Sequence, residues 1–231
     1  MSFSFKQFSV FDDNVPMKIG VDAVILGSWA NVSDAKKVLD LGAGSGVISL
    51  MLAQRFFNIK IDAIEINDNA VKDLQLNFDN SEWSNRLNII HEDFLKYNFE
   101  NNYDLIISNP PFFKSTKSEI NKGREQARIA TTLSPDVLCD KAYKILSSKG
   151  KLIVVFPYSQ RKEFVISALV QGFYLYSELS VLDTENTVPK RSILCFSKAK
   201  PSIVQSNILI LKKSDGSYTD SFSELTKDFY L

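Results

Sequence analysis

Four consecutive residues, Asn109 to Phe112, form a turn whose chemistry suits a planar ligand that carries an amino group. Pro110 and Pro111 have no backbone N–H and a restricted φ, so the carbonyl groups of the turn are held rigidly as acceptors. Asn109 adds a side-chain acceptor and Phe112 a flat apolar ring. A ligand NH2 group can donate to two acceptors while its plane stacks on the ring. A nucleobase or an amide fits; the alternative is a proline turn that only ends a strand.

An earlier stretch has the pattern of a loop that holds a nucleotide-like cofactor. An apolar strand runs there into glycines at alternate positions, Gly42, Gly44 and Gly46. Glycine tolerates positive φ and has no Cβ where a ligand must come close. Glu65 lies 19 positions after Gly46, close to the spacing of about 20 at which a carboxylate binds the ribose hydroxyls of an adenosine. Together these features predict an adenosine-containing cofactor.

Alternating strands and helices must position these residues. Apolar runs predict strands at 37–41, 58–66, 87–91, 103–108 and 150–157, and helical spacing predicts helices at 47–54, 68–80, 141–146 and 160–170. This alternation predicts an α/β fold with a doubly wound, mostly parallel sheet. Two later β segments, 173–182 and 191–197, predict a C-terminal antiparallel hairpin. Asp40, Glu65 and Asp93 lie at or just past strand ends, and Asn109 follows the fourth strand, where such sheets bind ligands.

The residues before the first strand predict a short loop that opens a helix with an apolar face, over 17–30. Asp22 lies near the first turn of this helix, where a carboxylate is favoured by the helix dipole and could cap the N-terminus. The alternative is that Lys18 and Asp22 contact a ligand.

Composition excludes several classes of protein. The 231 residues fit one domain, and 27 basic against 27 acidic side chains leave no global attraction to a polyanion. The first residues lack the pattern of a signal peptide, and no run of 18 apolar residues occurs, so we expect a cytoplasmic protein without a membrane span. One histidine, His91, and two cysteines, Cys139 and Cys195, cannot form a zinc cluster, and we expect no metal and two buried, reduced thiols.

At the glycine loop, Glu65, Asp93 and the turn from Asn109 to Phe112, the chain resembles the Rossmann-like class I methyltransferases that use S-adenosylmethionine. The resemblance is to the branch of this family that methylates amino groups. The resemblance covers roughly residues 3–200. It implies that residues 40–46, with Asp40 and the three glycines, hold the cofactor. It further implies that Glu65 binds the ribose, that Asp93 binds the adenine, and that Asn109 to Phe112 is the catalytic turn. Phe112 stands where many members have tyrosine, and stacking requires only the ring.

More narrowly, the chain is similar to the bacterial valine-tRNA adenine-N6-methyltransferases, which act beside the anticodon. The similar segments are 5–8, 17–22, 109–113, 124–128 and 229–231. The resemblance implies N6-methylation of an adenosine in the anticodon loop, with tRNA as the partner. It also implies one methyltransferase domain over 1–231. Within it, 1–30 would cover the cofactor, 36–200 would be the core and 201–231 a C-terminal extension.

A basic segment after the catalytic turn could contact RNA. From residue 114 to residue 128, five basic side chains stand against two acidic ones, which leaves three net positive charges. Lys190 and Arg191, in the predicted hairpin loop, could extend this patch. The alternative is a solvated polar loop. The candidate RNA-binding residues are Lys114, Arg124, Arg128, Lys190 and Arg191.

Three other functions would use parts of the same pattern. A nicotinamide dehydrogenase would place its third glycine at Val47 and would need a base for hydride transfer, which is not evident. Methyl transfer to a release-factor glutamine amide or to adenine in DNA would use the same Asn-Pro-Pro turn. A catalytically silent RNA-binding module is disfavoured because both the glycine loop and the turn at Asn109 are intact.

Overall fold

One eight-stranded sheet with helices on both faces forms the body of the protein. A computed structural model describes residues 2–100, 102–110 and 133–230. The strands are β1 (Ser2–Ser4), β2 (Ser9–Phe11), β3 (Lys37–Leu41), β4 (Lys60–Glu65), β5 (Leu87–His91), β6 (Tyr103–Ser108), β7 (Leu146–Pro157), β8 (Tyr174–Leu182), β9 (Arg191–Ser197) and β10 (Gln205–Ile210). The helices are α1 (Val21–Trp29), α2 (Val47–Arg55), α3 (Asp68–Asp79), α4 (Pro135–Ile145), α5 (Arg161–Val170) and α6 (Asp220–Thr226).

The strand order confirms the predicted fold class. The order across the sheet is β10-β8-β9-β7-β6-β3-β4-β5. The five strands from β7 to β5 are parallel, and β9 runs antiparallel to both β7 and β8. The predicted C-terminal hairpin is therefore present, and it is inserted so that its second strand pairs with the parallel sheet. The edge strand β10 pairs in parallel with β8, in a region for which sequence periodicity predicts no strand.

Alternate residues of the central strands fill two separate cores, one on each face of the sheet. In β3, Val38 packs in one core, and Leu39 and Leu41 pack in the other. This arrangement follows from the two-residue period of a strand, since neighbouring side chains point to opposite faces. Asp40 points to the same face as Val38, and this face carries the glycine loop and α2.

One predicted helix has the wrong bounds. The predicted helix 141–146 is α4, which begins at Pro135 and ends at Ile145, and Leu146 already belongs to β7. Ser134 caps this helix, because its Oγ accepts a hydrogen bond from the backbone N–H of Val137 at 3.4 Å. Serine followed by proline at the first helical position is a strong helix start that apolar spacing alone overlooks.

The two ends of the described chain meet. Residues Ser2–Ser4 pair antiparallel with Ser9–Phe11, and the turn between these strands packs on the last residues. The Lys6 backbone N–H donates to the Phe229 carbonyl at 2.9 Å, and the Phe5 and Tyr230 rings stack with their centroids 6.3 Å apart. The N-terminal hairpin is thereby fixed to the body of the protein.

Two negative findings concern the described residues only. Within residues 2–100, 102–110 and 133–230, no helix has the length and apolar character to span a bilayer, and His, Cys, Asp and Glu form no group that could bind a metal ion. Cys139 and Cys195 are buried and unpaired, as predicted. Burial raises the pKa of the Cys195 thiol to about 11, so it is protonated at neutral pH.

Candidate active site

Four neighbouring strand ends bring the predicted site residues to one edge of the sheet. Register pairs Leu41 of β3 with Ile64 of β4 on one side and with Ser108 of β6 on the other. The residues that come next along the chain, Gly42, Glu65 and Asn109, therefore lie side by side. Glu65 in turn pairs with His91 at the end of β5. The carboxyl ends of β6, β3, β4 and β5 thus present Asn109, the glycine loop, Glu65 and the segment of Asp93 side by side.

The glycine loop has the backbone conformation that its sequence predicts. Gly42, Gly44 and Gly46 have φ of 69°, 56° and 80°, a region that favours glycine. Backbone N–H groups of Gly42 and Ala43 donate to the Ile64 carbonyl at 2.9 and 3.2 Å, which ties the loop to β4. Gly46 is the residue that caps the N-terminus of α2. The loop therefore joins strand to helix as a nucleotide-binding turn does.

The three glycines differ in what surrounds them. A methyl group at Gly42 or Gly44 would meet no atom of the described residues within 4 Å, whereas one at Gly46 would lie 2.5 Å from Leu74 Cδ1 and 2.7 Å from Phe78 Cε1. The first two glycines border open space, where a ligand can approach the backbone. Gly46 instead allows α2 to pack closely on α3.

This difference predicts the outcome of two alanine substitutions. We expect Gly44→Ala to lower the free energy of unfolding by about 1–2 kcal/mol, since only the positive φ is unfavourable. Gly46→Ala adds a steric clash and should lower it by about 2–5 kcal/mol. Urea unfolding of both variants measures the two losses. Equal losses would contradict the packing role of Gly46.

Glu65 is held in place by backbone N–H groups. Its Oε2 accepts from Gly44 N at 2.9 Å, and its Oε1 accepts from Ile66 N and Asn67 N, both at 2.9 Å. A carboxylate oxygen accepts about two hydrogen bonds, so Oε2 keeps one free position. The side chain is therefore rigid and can still accept a hydrogen bond from a ligand.

Asp40 is a carboxyl group buried beneath the loop. Its Oδ2 accepts a hydrogen bond from Ser49 Oγ at 2.7 Å, and its Oδ1 has no partner among the described residues. Burial raises the pKa of Asp40 to about 6, although the hydrogen bond from Ser49 opposes the rise. Near neutral pH this group is mostly an anion with one unsatisfied oxygen. Such a group suits a positively charged part of a ligand.

The raised pKa of Asp40 predicts a pH-dependent gain in stability for Asp40→Asn. The folded protein binds an additional proton between about pH 4 and pH 6, so the free energy of unfolding of the wild type falls as pH rises through this window. Asparagine cannot ionise and avoids the loss. At pH 7 we expect the variant to be up to about 3 kcal/mol more stable, with the difference shrinking toward pH 4. Urea unfolding across this range tests the prediction; a pH-independent difference would contradict it.

Asp93 lies in the loop that follows β5. Its Oδ1 accepts from Leu95 N at 2.9 Å, and its Oδ2 is 3.9 Å from Lys96 Nζ. The side chain is about one quarter exposed. One carboxylate oxygen shapes the turn, and the other is available to a ligand at this edge.

Asn109 directly follows β6. Its Oδ1 is buried and has no hydrogen-bond partner among the described residues. The preceding Ser108 is fully buried and donates its Oγ–H to the Leu41 carbonyl at 2.8 Å, which fixes the end of β6 against β3. A buried amide oxygen without a partner is unfavourable in a folded protein. Here it is the acceptor that a ligand amino group would require.

The family follows from comparison with known proteins. The family model of the methyltransferase small domain matches residues 21–180. The chain belongs to this methyltransferase family. The tRNA1(Val) (adenine(37)-N6)-methyltransferase of Photorhabdus laumondii is 38% identical over 232 residues, which cover 99% of this chain and 95% of that protein. The protein of the same name from Trichodesmium erythraeum is 40% identical over 233 residues, which cover 99% and 97%.

Solved structures agree with this fold. A predicted O-methyltransferase from Agrobacterium tumefaciens superposes with a TM-score of 0.68 at 17% identity, over 90% of this chain and 96% of that one. A TehB-like SAM-dependent methyltransferase from Corynebacterium glutamicum superposes with a TM-score of 0.53 at 14% identity, over 80% and 90%. At such low identity these likenesses concern the fold alone.

Two predicted site residues of this methyltransferase bind each other. Arg191 Nε is 2.7 Å from Asp22 Oδ2. The prediction that Asp22 could cap α1 is wrong, because Gly20 is the capping residue and no side chain bonds there; the carboxylate pairs with the guanidinium instead. Arg191 is the first residue of β9 and not a loop residue. Their predicted contacts with cofactor and RNA stay predictions.

Lys18 and Lys190 are ion-paired as well. Lys18 Nζ is 3.5 Å from Asp12 Oδ1, and Lys190 pairs with Asp183. Both lysine side chains are more than half exposed. Exposed ion pairs are weak, so either lysine of the methyltransferase can exchange its carboxylate for a ligand group.

Several predicted residues lie outside the described part of the chain. These residues are Pro111, Phe112, Lys114, Arg124 and Arg128. Their roles in the methyltransferase stay predictions.

Sequence patterns did not indicate four polar residues that shape this methyltransferase site. Ser49 donates a hydrogen bond to Asp40, and Ser108 donates one to the Leu41 carbonyl. Asp73 and Asn77 are buried side chains of α3. A usable signal does exist for three of them. Ser49 is one polar residue within an apolar helix, and Asp73 and Asn77 are one helical turn apart on the face that carries Leu74.

Proposed function

We propose that this methyltransferase transfers a methyl group from S-adenosylmethionine to N6 of an adenosine in the anticodon loop of a tRNA, with valine tRNA as the substrate. The observation that carries the proposal is the identity of 38–40% over 99% of the chain to relatives named for that reaction. A tRNA substrate agrees with the cytoplasmic location expected from the sequence.

The residues at the sheet edge fit S-adenosylmethionine. When bound, this cofactor supplies a methyl group that its sulfonium charge has already activated. Gly42 and Gly44 border open space, and Glu65 Oε2 can accept one more hydrogen bond. In our proposal Glu65 holds the ribose hydroxyls, Asp93 the adenine, and Asp40 lies toward the positively charged end.

The N-terminal segment would complete the donor site. Lys18 lies between the hairpin β1–β2 and α1, and Asp22 is the second residue of α1. We propose that residues 1–30 cover the cofactor, that residues 36–200 form the catalytic core and that residues 201–231 extend it.

The acceptor amine would be held by the turn after β6. An adenine N6 has two N–H bonds, and Asn109 Oδ1 and the Pro110 carbonyl can accept them, with the base stacked on Phe112. These hydrogen bonds would favour a tetrahedral nitrogen whose lone pair is directed toward the donor site. No strong base is required, because the additional proton can leave to water after transfer.

Recognition of RNA is proposed to use a basic surface beside this turn. A loop adenosine leaves its stack at lower cost than a paired one, which favours a tRNA loop over duplex DNA. Lys114, Arg124, Arg128, Lys190 and Arg191 would contact the phosphate backbone. Binding through such residues weakens steeply with salt.

The test is methyl incorporation from labelled S-adenosylmethionine into three acceptors: unmodified valine tRNA, DNA and a release factor. We expect label in the tRNA alone, and nuclease digestion should recover it as N6-methyladenosine from the anticodon loop. Label in the release factor or in DNA would assign a different acceptor to the same site. No transfer to any of them, with tRNA still bound, would support the silent RNA-binding module instead.

A further inference from the structure

Helix α3 carries two polar side chains that are almost completely buried, Asp73 and Asn77, which are 3% and 1% exposed. Buried polar groups destabilise a fold unless hydrogen bonds satisfy them. Both side chains bind the same part of the chain, residues 11–19, which we call the N-terminal strap. Their burial therefore belongs to a contact between α3 and this strap.

Asp73 fixes the middle of the strap. Its Oδ2 accepts from the Asn14 backbone N–H at 2.7 Å, and its Oδ1 accepts from Asn14 Nδ2 at 2.7 Å. Farther along, Asp12 Oδ2 accepts from the Ile19 backbone N–H at 3.1 Å. The strap is thus bound to α3 and closed upon itself.

Asn77 binds the start of the strap and the glycine loop at once. Its Oδ1 accepts from the Phe11 backbone N–H at 2.7 Å, and its Nδ2 donates to the Phe11 carbonyl at 2.7 Å and to the Ser45 carbonyl at 2.9 Å. Ser45 lies between Gly44 and Gly46. Both N–H bonds of the amide are used, so one planar group sets the distance between strap and loop.

The strap lies between Phe11, which Asn77 holds beside the glycine loop, and helix α1. It leads into α1, whose Asp22 is paired with Arg191. Arg191 is in register with Pro157 at the carboxyl end of β7, the neighbour of β6, which Asn109 follows. The strap therefore reaches from the glycine loop toward the side of the catalytic turn.

We propose that Asn77 is a positioning residue for the methyl donor: it holds the glycine loop and the N-terminal strap in one fixed arrangement, without touching the donor. The inference rests on the proposed function, since it takes the donor to bind on the glycine loop. Loss of the Nδ2 group frees the Ser45 carbonyl and the strap together, and the donor must then order both when it binds.

The test compares Asn77→Asp with Asn14→Ala. The first variant replaces Nδ2 by an oxygen that faces two carbonyl oxygens, whereas the second loosens the strap and leaves the glycine loop alone. Calorimetry without tRNA gives the Kd for S-adenosylmethionine. We expect this Kd to rise about tenfold or more in Asn77→Asp and less than about twofold in Asn14→Ala.

Two further measurements separate positioning from loss of structure. In Asn77→Asp the tRNA affinity without donor should stay within about twofold, and in turnover the donor KM should rise while kcat at saturating donor changes little. An unchanged donor Kd in folded Asn77→Asp overturns the inference. Equal losses in both variants also overturn it, because loosening the strap would then be sufficient.

A second variant and the wild type complete the test. If Asn77→Asp does not fold, Asn77→Ser takes its place, since it lacks the amide without adding charge, and the same rise in Kd is expected. A wild type that binds no S-adenosylmethionine refutes the proposed function. If the wild type and Asn77→Asp bind S-adenosylmethionine with equal affinity, only the positioning role is refuted.

Discussion

Asn109→Ala should lower the rate of methyl transfer by about 10²–10³-fold while the Kd for S-adenosylmethionine changes less than about twofold. A loss of this size is expected if the amide oxygen orients the substrate amine as proposed, since removing one such preorganised group typically has this effect. Single-turnover kinetics with saturating tRNA measures the chemical step, and calorimetry measures donor binding.

The neighbouring residue provides a matched control. Ser108→Ala removes the hydrogen bond to the Leu41 carbonyl and leaves the Asn109 side chain unaltered. We expect a loss of stability of about 1 kcal/mol and a rate within about tenfold of the wild type. If Asn109→Ala transferred methyl groups at a near-normal rate, Asn109 would not be the residue that binds the amine.

Glu65→Gln should raise the Kd for S-adenosylmethionine by about 10–100-fold. The Glu65 carboxylate accepts three hydrogen bonds from backbone N–H groups. The amide NH2 of glutamine is itself a donor, so at least one of these contacts becomes a pair of facing donors and the loop loses its support. The same change would also remove one of the two carboxylate oxygens that we propose for the ribose hydroxyls.

Glu92 offers a comparison for this variant. It follows the adjacent strand, and its Oε1 accepts from the Asp93 backbone N–H at 2.8 Å. We expect Glu92→Gln to leave the donor Kd within about twofold, since the Glu92 side chain makes no hydrogen bond to the glycine loop among the described residues. Calorimetry measures the Kd for S-adenosylmethionine of both variants. Equal values would show that Glu65 does not bind the donor.

Local patterns accounted for much of the fold. Strands β3, β5 and β6 have the bounds that their apolar runs predict, because each is a short, mostly apolar run between polar residues. Where a strand or helix depends on its neighbours, local patterns were insufficient. The edge strand β10 is mostly exposed and alternates weakly, and it exists because β8 offers an unpaired edge.

By itself the sequence determined the chemistry of the site: three glycines that require positive φ, acids at successive strand ends and an amide followed by two prolines. These features are local, since each depends on residue type and on a spacing of a few residues. Only the tertiary structure decided which groups hold them. Gly44 meets Glu65 across 21 positions, Ser45 meets Asn77 across 32, and Asp22 meets Arg191 across 169. Such pairs arise from strand order and helix packing, and the local sequence around each residue does not predict either of them.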